Sequence, residues 1–264
     1  MSTSSRSDPE GLHEFVCDLA HRAGELQLSR YEDPGTIREK APKDIVTEVD
    51  LLCEELMVNA IRERYPNDAI LSEERGGEIS ASGRTWLLDP VDGTANFAHA
   101  NPIFCACVSV LEGDAVTHAA IAAPRLGDLY HATLGSGAFR ESPEGRSRLR
   151  VSDTERLEYA FFGADLAFRG RGSSGPRRVL SASWQFRALG SAGVRGAWLA
   201  AGYLDVSIGT RNTAWDYAPT VLLVSEAGGR ATDLSGRPWT HASDGLVATN
   251  GQLHAEVLEI LAES

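Results

Sequence analysis

The sequence lacks the cysteine patterns of several protein classes. Its four cysteines, Cys17, Cys53, Cys105 and Cys107, include no Cys-x-x-Cys pair and are not spaced as a zinc-binding motif. We therefore expect reduced thiols rather than disulfides, with Cys105 and Cys107 on one face of a strand. Internal repeats and low-complexity tracts are also absent from the sequence.

Long apolar segments are missing as well. No run of about 18 apolar residues marks a membrane span. Residues 1–7 are small and polar, without the apolar core of a signal peptide. These features predict a cytoplasmic protein that does not bind membranes, with a disordered tail over residues 1–8.

Positive charge is scarce. The chain has 25 Lys and Arg residues against 37 Asp and Glu residues, which gives a formal net charge of −12. This balance disfavours non-specific nucleic-acid binding, which needs a basic surface, and no nucleic-acid partner is expected. An anionic small molecule is still compatible with the composition, because bound metal ions can reverse the local sign of charge.

The chain of 264 residues has enough length for one large domain. Apolar periodicity and turn residues predict five helices. Three are expected over about 8–30, with Asp8 as N-cap followed by Pro9, over about 48–65 and over about 252–262. The other two are expected to begin after Gly190-Ser191 and at about residue 215. Strands are predicted at 68–72, 84–89, 104–111, 116–123, 128–133, 204–208 and 246–249. The mixture lacks strict β-α-β alternation, which favours α+β layers or two lobes that share a cleft.

Finer expectations concern the buried helix faces and one loop. The apolar stripe of the first helix is predicted at Leu12, Phe15, Leu19, Ala23 and Leu26, and that of the second at Leu52, Leu56 and Ala60. The stretch 168–178, rich in Gly, Ser and Arg, is predicted to be a mobile loop. Its arginines, Arg169, Arg171, Arg177 and Arg178, are either solvated or contact a second anionic group of a substrate.

The segment from Trp86 to Phe97 carries the clearest chemical signal. An apolar strand leads into Asp-Pro-Val-Asp-Gly-Thr, in which Pro90 is expected to end the strand. Two carboxylates three residues apart on such a turn can converge on one point. If Gly93 and Thr94 open a helix, their free amides form a phosphate-binding cradle. The alternative is a plain turn between a strand and a helix.

Three further stretches supply carboxylates, and each has an ordinary structural alternative. Glu73 and Glu74 end a strand, where a solvated acidic turn is the alternative. Asp50 lies three residues after Thr47, which is also the spacing of a capping box. Asp216 begins an apolar helix, where it would serve as a simple cap, and Glu226 near the end of that helix is interpreted as structural.

A cluster of these carboxylates would need cations. Two like charges about 4 Å apart repel by about 4 kcal/mol at an effective dielectric constant near 20. Carboxylate oxygens without His or Cys nearby suit Mg²⁺, which also binds phosphate groups. Hydrolysis of phosphate monoesters is among the slowest uncatalysed reactions and needs strong charge stabilisation. We therefore predict a magnesium-dependent phosphatase that acts on a small soluble phosphate monoester.

The segments 44–50 with 72–74, 86–97 and 215–229, in this order and spacing, resemble the inositol monophosphatase family, within the magnesium-dependent, lithium-sensitive phosphatase superfamily. The resemblance implies an α+β fold, a layered αβαβα sandwich of the inositol monophosphatase/fructose-1,6-bisphosphatase type. It implies one domain over 9–264, with an N-terminal α+β lobe of about 9–145 and a C-terminal α/β lobe of about 146–264. It also implies a homodimer and two or three Mg²⁺ ions per site, with Mn²⁺ as a substitute.

The resemblance further implies roles for individual residues. The implied metal ligands are Glu73, Asp89, Asp92, Asp216 and the backbone carbonyl of Val91. The implied catalytic residues are Thr94, Asp50, Glu73 and Lys40. Thr94, with Asp50 behind it, would orient and help to deprotonate a metal-bound water. Lys43 is the alternative to Lys40. The implied substrate contacts are Asp92, Gly93, Thr94, Ser191, Ala192 and Asp216. Arg211 is predicted as a further substrate contact, at a place where the chain departs from the family pattern.

One departure from the family pattern bears on the substrate. Members that act on inositol phosphate usually carry a glutamate a few residues before the Trp-Asp pair, whereas residues 206–213 contain no acid and include Arg211. An inositol, sugar or polyol phosphate is the first expectation. Histidinol phosphate, a nucleotide 3′-phosphate or a secondary-metabolite phosphate is the alternative. A non-catalytic regulatory binding protein is a third interpretation, which the complete carboxylate set disfavours.

Overall fold

The computed structural model describes residues 11–42, 44–164, 174–211 and 213–263. The helices in these ranges are α1 Leu12–Ser29, α2 Glu48–Arg64, α3 Thr94–Ala98, α4 Ser174–Ala182, α5 Ala192–Ala200, α6 Ala214–Glu226 and α7 His254–Ala262. The strands are β1 Ile37–Ala41, β2 Asp44–Thr47, β3 Ala69–Ser72, β4 Gly76–Gly77, β5 Arg84–Asp92, β6 Cys105–Glu112, β7 Ala115–Ala123, β8 Asp128–Thr133, β9 Gly137–Ser142, β10 Gly145–Arg148, β11 Phe161–Ala164, β12 Gln185–Arg187, β13 Val206–Gly209, β14 Arg230–Thr232 and β15 Leu246–Thr249.

Two sheets organise the fold. The larger sheet has the strand order β10-β9-β8-β7-β6-β5-β3-β4 and is antiparallel except for the β3–β5 pair. The smaller sheet has the order β12-β11-β13-β15-β14, with β11 parallel to both of its neighbours. Strands β1 and β2 form a separate antiparallel hairpin.

The helices cover both sheets in layers. Helices α1 and α2 bury their apolar residues against one face of the larger sheet. Helices α5 and α6 pack against its other face and also contact strands of the smaller sheet. Helices α4 and α7 cover the remaining face of the smaller sheet. This arrangement confirms the predicted αβαβα sandwich.

Most predicted elements are present close to their predicted bounds. The five predicted strands of the N-terminal half correspond to β3 and β5–β8, and those of the C-terminal half to β13 and β15. The strands that were not predicted are short or lack an apolar alternation, as in the exposed strand Ile37–Ala41. None of the helices in the described ranges combines the length and apolar composition that a membrane crossing requires.

Three expectations about local structure need correction. The described part of α1 begins at Leu12 with Gly11 as N-cap at φ 60°, whereas Asp8 and Pro9 lie outside the described residues. The buried face of α2 is centred on Cys53, Met57 and Ile61. Each lies one position after its predicted counterpart, Leu52, Leu56 and Ala60, and these three are only half-buried. Cys53 and Met57 pack as apolar side chains in the core shared with α1, which turns the buried face by one position.

The third correction concerns the predicted loop 168–178. Residues 168–173 lie outside the described residues, including Arg169 and Arg171, whereas Arg177 and Arg178 belong to α4. Arg178 donates hydrogen bonds to the carbonyl of Ile260 in α7, from Nε at 3.2 Å and from Nη2 at 3.0 Å. This part of the segment is helical because Gly175, Pro176 and Val179 are buried against the last helix.

Helices α5 and α6 approach each other at a glycine. A Cβ atom on Gly196 would lie 1.8 Å from Oγ1 of the buried Thr220 in α6. That separation is far inside van der Waals contact. The two helices can therefore hold their present spacing only without a side chain at position 196.

We expect Gly196→Ala to destabilise the protein by about 1–3 kcal/mol, because overpacking a filled core forces neighbouring groups to move. Urea unfolding followed by far-UV circular dichroism measures the change. Gly83→Ala, in an exposed turn where the new Cβ meets the flexible Ser80 side chain, is the control and should stay within about 0.5 kcal/mol of the parent. Equal stability of the Gly196→Ala and parent proteins would contradict the close approach.

Candidate active site

The centre of the candidate site is a bulge in β5. The strand continues through Pro90 to Asp92, and its pairing with β6 shifts register between Asp89, opposite Cys107, and Asp92, opposite Cys105. The expectation that Pro90 ends the strand was therefore wrong. Proline is tolerated here because the ladder is interrupted at the bulge, where its missing N–H leaves no pairing partner unsatisfied.

Gly93 turns the chain from this bulge into α3. Its φ of 91° lies in the left-handed region, and a Cβ would approach the carbonyl oxygen of Ile103 to 3.0 Å. Gly93 is the N-cap of α3 and Thr94 its first residue, as predicted. The first amides of a helix have no intrahelical acceptor. They are therefore available to an anion in front of the turn.

Asp50 joins α2 to this turn. Its Oδ2 accepts a hydrogen bond from the backbone N–H of Thr47 at 2.9 Å and completes the capping box of α2. Its Oδ1 accepts a hydrogen bond from Thr94 Oγ1 at 3.0 Å. Asp50 is thus a capping residue of α2 and also contacts the turn of the candidate site. Burial raises the pKa of Asp50 to about 6, although the hydrogen bonds from Thr47 and Thr94 oppose that rise.

Asp92 points to the N-terminus of α5. Its carboxylate accepts hydrogen bonds from the amides of Ala192 at 2.9 Å and Gly193 at 2.7 Å, from the Ser191 hydroxyl, and from the Cys105 thiol at 3.2 Å. The positive end of the helix dipole stabilises negative charge at this position. Ser191 and Ala192, predicted to contact substrate, are both buried against Asp92.

Asp89 and Asp216 complete the acidic cluster. Asp216 lies in the first turn of α6, close enough to Asp92, Glu73 and Asp89 for these carboxyl groups to shift its pKa. Burial, followed by the charges of Glu73, Asp92 and Asp216, raises the pKa of Asp89 well above its ordinary value. Burial and the charge of Asp92 raise the pKa of Asp216 to about 7. The structure therefore brings these carboxyl groups close enough together to raise one another's pKa.

Lys40 supplies a positive charge at the edge of the cluster. From β1, its Nζ lies 2.8 Å from Glu73 Oε1 and 2.7 Å from Glu74 Oε1. Burial alone would lower the pKa of Lys40, but the hydrogen bonds to these two glutamates raise it. Burial, followed by the charge of Glu73, raises the pKa of Glu74 to about 7, against the opposing effect of Lys40. The competing Lys43 lies outside the described residues.

The donor set fits a hard divalent cation. Four carboxylates and the carbonyl of Val91 offer only oxygen atoms, and Thr94 Oγ1 lies 3.0 Å from that carbonyl oxygen. The carboxylates repel one another, and among the described residues Lys40 is the one cation that partly neutralises them. Oxygen donors with excess negative charge are the environment that Mg²⁺ prefers.

Two residues singled out in the sequence, Arg211 and Glu226, make no described contact with the carboxylate cluster. Arg211 is exposed just beyond β13, and no ion pair joins it to another described residue. Glu226 accepts hydrogen bonds from the amides of Gly135 at 2.7 Å and Gly137 at 2.6 Å. It therefore fixes the β8–β9 turn, in agreement with its structural interpretation.

Sequence reasoning missed several residues that support the site. Gln27 is fully buried and donates from Nε2 to the carbonyl of Pro90 at 2.7 Å. Asn96 donates from Nδ2 to the carbonyls of Ile103 at 2.6 Å and Leu189 at 2.8 Å, which ties α3 to the segment before α5. A polar residue such as Gln27 within an apolar helix stripe was the one available signal.

A sequence model of the inositol monophosphatase family matches residues 8–264. The chain belongs to this family. It is 32% identical over 253 residues to the fructose-1,6-bisphosphatase/inositol-1-monophosphatase of Thermotoga maritima, with 95% of each chain covered. It is 36% identical over 230 residues to the Nus factor SuhB of Pseudomonas aeruginosa, with 82% of this chain and 83% of the relative covered.

Another relative and a solved structure agree with this assignment. The histidinol-phosphatase of Mycobacterium tuberculosis is 33% identical over 247 residues, with 91% of this chain and 94% of the relative covered. The solved Thermotoga maritima IMPase superimposes with a TM-score of 0.84 at 31% identity and covers 94% of this chain and 95% of its own. The family fold expected from the sequence is thereby confirmed.

The raised pKa values predict how stability depends on pH without metal. Asp216 and Glu74 have pKa values of about 7 in the folded protein and lower ones when unfolded. The folded state therefore holds more protons, and its stability falls as pH rises through about 7. Burial lowers the pKa of His131 and His254 to about 4. Their lowered pKa values make stability fall as pH decreases, but only below about pH 6.5.

We therefore expect the melting temperature in EDTA to fall between pH 6.5 and pH 8. Saturating Mg²⁺ should remove most of that fall, because the cation replaces the protons as the neutralising charge. Differential scanning fluorimetry at matched ionic strength measures both slopes. Asp89→Asn should show a smaller fall in EDTA. A melting temperature that rises over this range would contradict the repulsive cluster.

Proposed function

We propose that the protein is a magnesium-dependent phosphatase that hydrolyses a small phosphate monoester. The observation that carries this proposal is the convergence of the Asp89, Asp92 and Asp216 carboxylates with Glu73, at a turn that also presents the Gly93 and Thr94 amides. A cluster of this charge has no evident use in a scaffold, because it opposes folding unless a cation is bound. Membership of a phosphatase family supports the same chemistry.

The metal ligands in this proposal are Glu73, Asp89, Asp92, Asp216 and the carbonyl of Val91. When bound, Mg²⁺ would supply charge that neutralises the phosphate oxygens, lowers the pKa of water and stabilises the leaving oxygen. Asp92 is held in place by the N-terminus of α5, and Asp89 by its own turn, in which the N–H of Val91 donates to Asp89 Oδ1 at 3.1 Å. These contacts fix the ligand positions before any ion arrives.

Thr94 and Asp50 are proposed to position the attacking water. The Thr94 hydroxyl donates to Asp50, which leaves its oxygen free to accept a hydrogen bond from water. Asp50 accepts this hydrogen bond with a carboxylate that is fully buried and therefore shielded from competing solvent. The proton of the water would leave through the Thr94 hydroxyl to Asp50, whose raised pKa suits it as an acceptor near neutral pH.

The phosphate group is proposed to bind the amides at the start of α3. Gly93 allows a phosphate oxygen to approach the backbone because it has no side chain, and the dipoles of the first turn favour an anion. Lys40 is proposed to hold Glu73 and Glu74 in place and to balance their charge. Loss of the Lys40 charge would leave two adjacent carboxylates without their counter-ion.

The identity of the alcohol part of the substrate rests on the wall of the site. An inositol, sugar or polyol phosphate is proposed first, with the fructose-1,6-bisphosphatase/inositol-1-monophosphatase relative in support. Histidinol phosphate is the second candidate. The lack of an acid in residues 206–213 and the 33% identity to a histidinol-phosphatase favour it. Ser191, Ala192 and Arg211 remain proposed substrate contacts.

A panel of phosphate monoesters distinguishes these candidates. It should contain inositol, histidinol, fructose bisphosphate and adenosine bisphosphate substrates, each assayed with and without Mg²⁺ and with added Li⁺. The proposal expects phosphate release that requires Mg²⁺ and is inhibited by Li⁺. Absence of any Mg²⁺-dependent release would instead favour a binding role, as the Nus factor name of one relative suggests.

Asp89→Asn should reduce kcat by a factor of about 10² or more, because it removes one negative ligand from a preorganised charge-stabilising site. It should leave the fold intact and raise the melting temperature in EDTA, since one source of repulsion is lost. Steady-state kinetics and scanning fluorimetry measure the two effects. Asp114→Asn, at an exposed turn, is the matched control. Near-normal turnover of Asp89→Asn would refute the ligand assignment.

Thr94→Ala should lower kcat by about 10²–10⁴-fold with little change in KM, as expected for loss of a group in proton transfer. Thr94→Ser keeps the hydroxyl and should retain most of the activity. Both variants keep the α3 amides, so phosphate binding should persist. If Thr94→Ala and Thr94→Ser have equal kcat values, the hydroxyl has no catalytic part.

A further inference from the structure

A second group of metal-ligating side chains lies between α1 and the outer strands of the larger sheet. His13 and Cys17 are four residues apart on α1 and therefore project from one face of the helix. His131 reaches them from β8. One ligand atom from each of the three residues lies within 4.8 Å of the others.

The distances suit a tetrahedral ion. Cys17 Sγ lies 3.6 Å from His13 Nε2. Two such ligands at about 2.3 Å and about 2.05 Å from a tetrahedral zinc ion lie about 3.5 Å apart. The rings of His13 and His131 have centroids 4.9 Å apart. Small side-chain rotations would bring all three donors to one centre.

His131 gives an independent indication of a missing ligand. Its side chain is 3% exposed, and neither ring nitrogen has a hydrogen-bond partner among the described residues. Nε2 lies 3.3 Å from Glu141 Oε1 without the alignment of a hydrogen bond. Leaving Nδ1 buried without any polar partner, and Nε2 without an aligned one, costs free energy. A bound cation would satisfy one of them.

The second ring nitrogen of His13 has a hydrogen-bond partner, as is usual for histidines that bind metals. Thr133 Oγ1 lies 2.9 Å from His13 Nδ1, which orients the ring so that Nε2 faces Cys17. A cavity of about 330 Å³ is lined in part by His13 and His131. Burial lowers the pKa of His131 to about 4, so its imidazole is neutral and able to bind a metal.

We propose that His13, Cys17 and His131 bind one zinc ion, with the Glu141 carboxylate as fourth ligand. Two imidazoles and a thiolate select Zn²⁺ over Mg²⁺, so this centre would not compete for the ion of the carboxylate cluster. On binding, the Cys17 thiol releases its proton to solvent. The resulting thiolate and the Glu141 carboxylate balance the two charges of the ion.

The centre would be structural and separate from the candidate active site. Cys17 and Gln27 are ten residues apart on α1, which corresponds to about 15 Å along the axis. The ion would join the N-terminal half of α1 to β8 and β9, while Gln27 joins the other half to Pro90. A fixed helix would thus hold the carbonyl of Pro90 beside the metal-binding bulge.

X-ray absorption at the zinc edge tests the proposal on the unaltered protein. The sample contains one equivalent of Zn²⁺ and an excess of Mg²⁺. The expected ligand shell has one sulfur, two imidazole nitrogens and one oxygen. A shell of oxygens alone would place zinc in the carboxylate cluster. A shell with two sulfurs would place it at Asp92, Cys105 and Cys107, the other group with close ligand atoms. Either result would overturn the proposal.

Variants provide the second measurement. Cys17→Ser and His131→Phe should each weaken Zn²⁺ binding by at least about a hundredfold in equilibrium dialysis with excess Mg²⁺. Both should lose the rise in melting temperature that zinc gives to the parent. His21→Ala, on the same helix and exposed, is the control and should bind as the parent does. Unchanged binding by Cys17→Ser, or no tight binding by the parent, would also refute the site.

Discussion

The mutual repulsion of buried carboxylates is the interaction on which the rest of this structure depends. Asp89 and Asp92 come from one bulged strand, and Asp216 comes from the first turn of a helix that lies between the two sheets. Burial strengthens the repulsion because little water remains to screen it. Two neutralising responses are visible without a metal, namely the raised pKa values and the contact of Lys40 with Glu73 and Glu74. A divalent cation is the response that also permits chemistry on a phosphate.

The surrounding contacts hold each acid in a different way. The N-terminus of α5 and the Ser191 hydroxyl surround Asp92, and Asp50 is fixed by its own capping box. Gln27 secures the bulge from the opposite layer of the sandwich. The acids therefore cannot relieve their repulsion by moving apart, since each belongs to a packed element. Such preorganisation is what a charge-stabilising site requires, because the ligands need no reorganisation when the ion and substrate bind.

Much of the fold could be predicted from the sequence, because its long strands are apolar runs, its longer helices carry apolar stripes, and α2 and α5 begin at side-chain N-caps. The same local signals could not predict the bulge at Pro90. Proline normally ends regular strand pairing, and the sequence was interpreted on that basis. In the structure, the tertiary hydrogen bond from Gln27 supports irregular pairing at Pro90. The candidate acids were predicted from motifs in the sequence and from the family resemblance that these motifs carry. The contacts of Asp92 with Cys105 and Ser191 come from residues 13 and 99 positions away, and no local pattern encodes them.

The same reasoning explains why the His13, Cys17 and His131 group escaped a search for spaced cysteines. Two of its members are a helical turn apart, and the third arrives from a strand more than 100 residues later, so only the packing of α1 on the sheet brings them together. The carboxylate cluster has this property as well, since its acids come from β5 and α6, which are more than 100 residues apart in the sequence. Neither group can bind a metal tightly until the layers have packed. Metal binding at either place would therefore stabilise the folded sandwich rather than the separate elements.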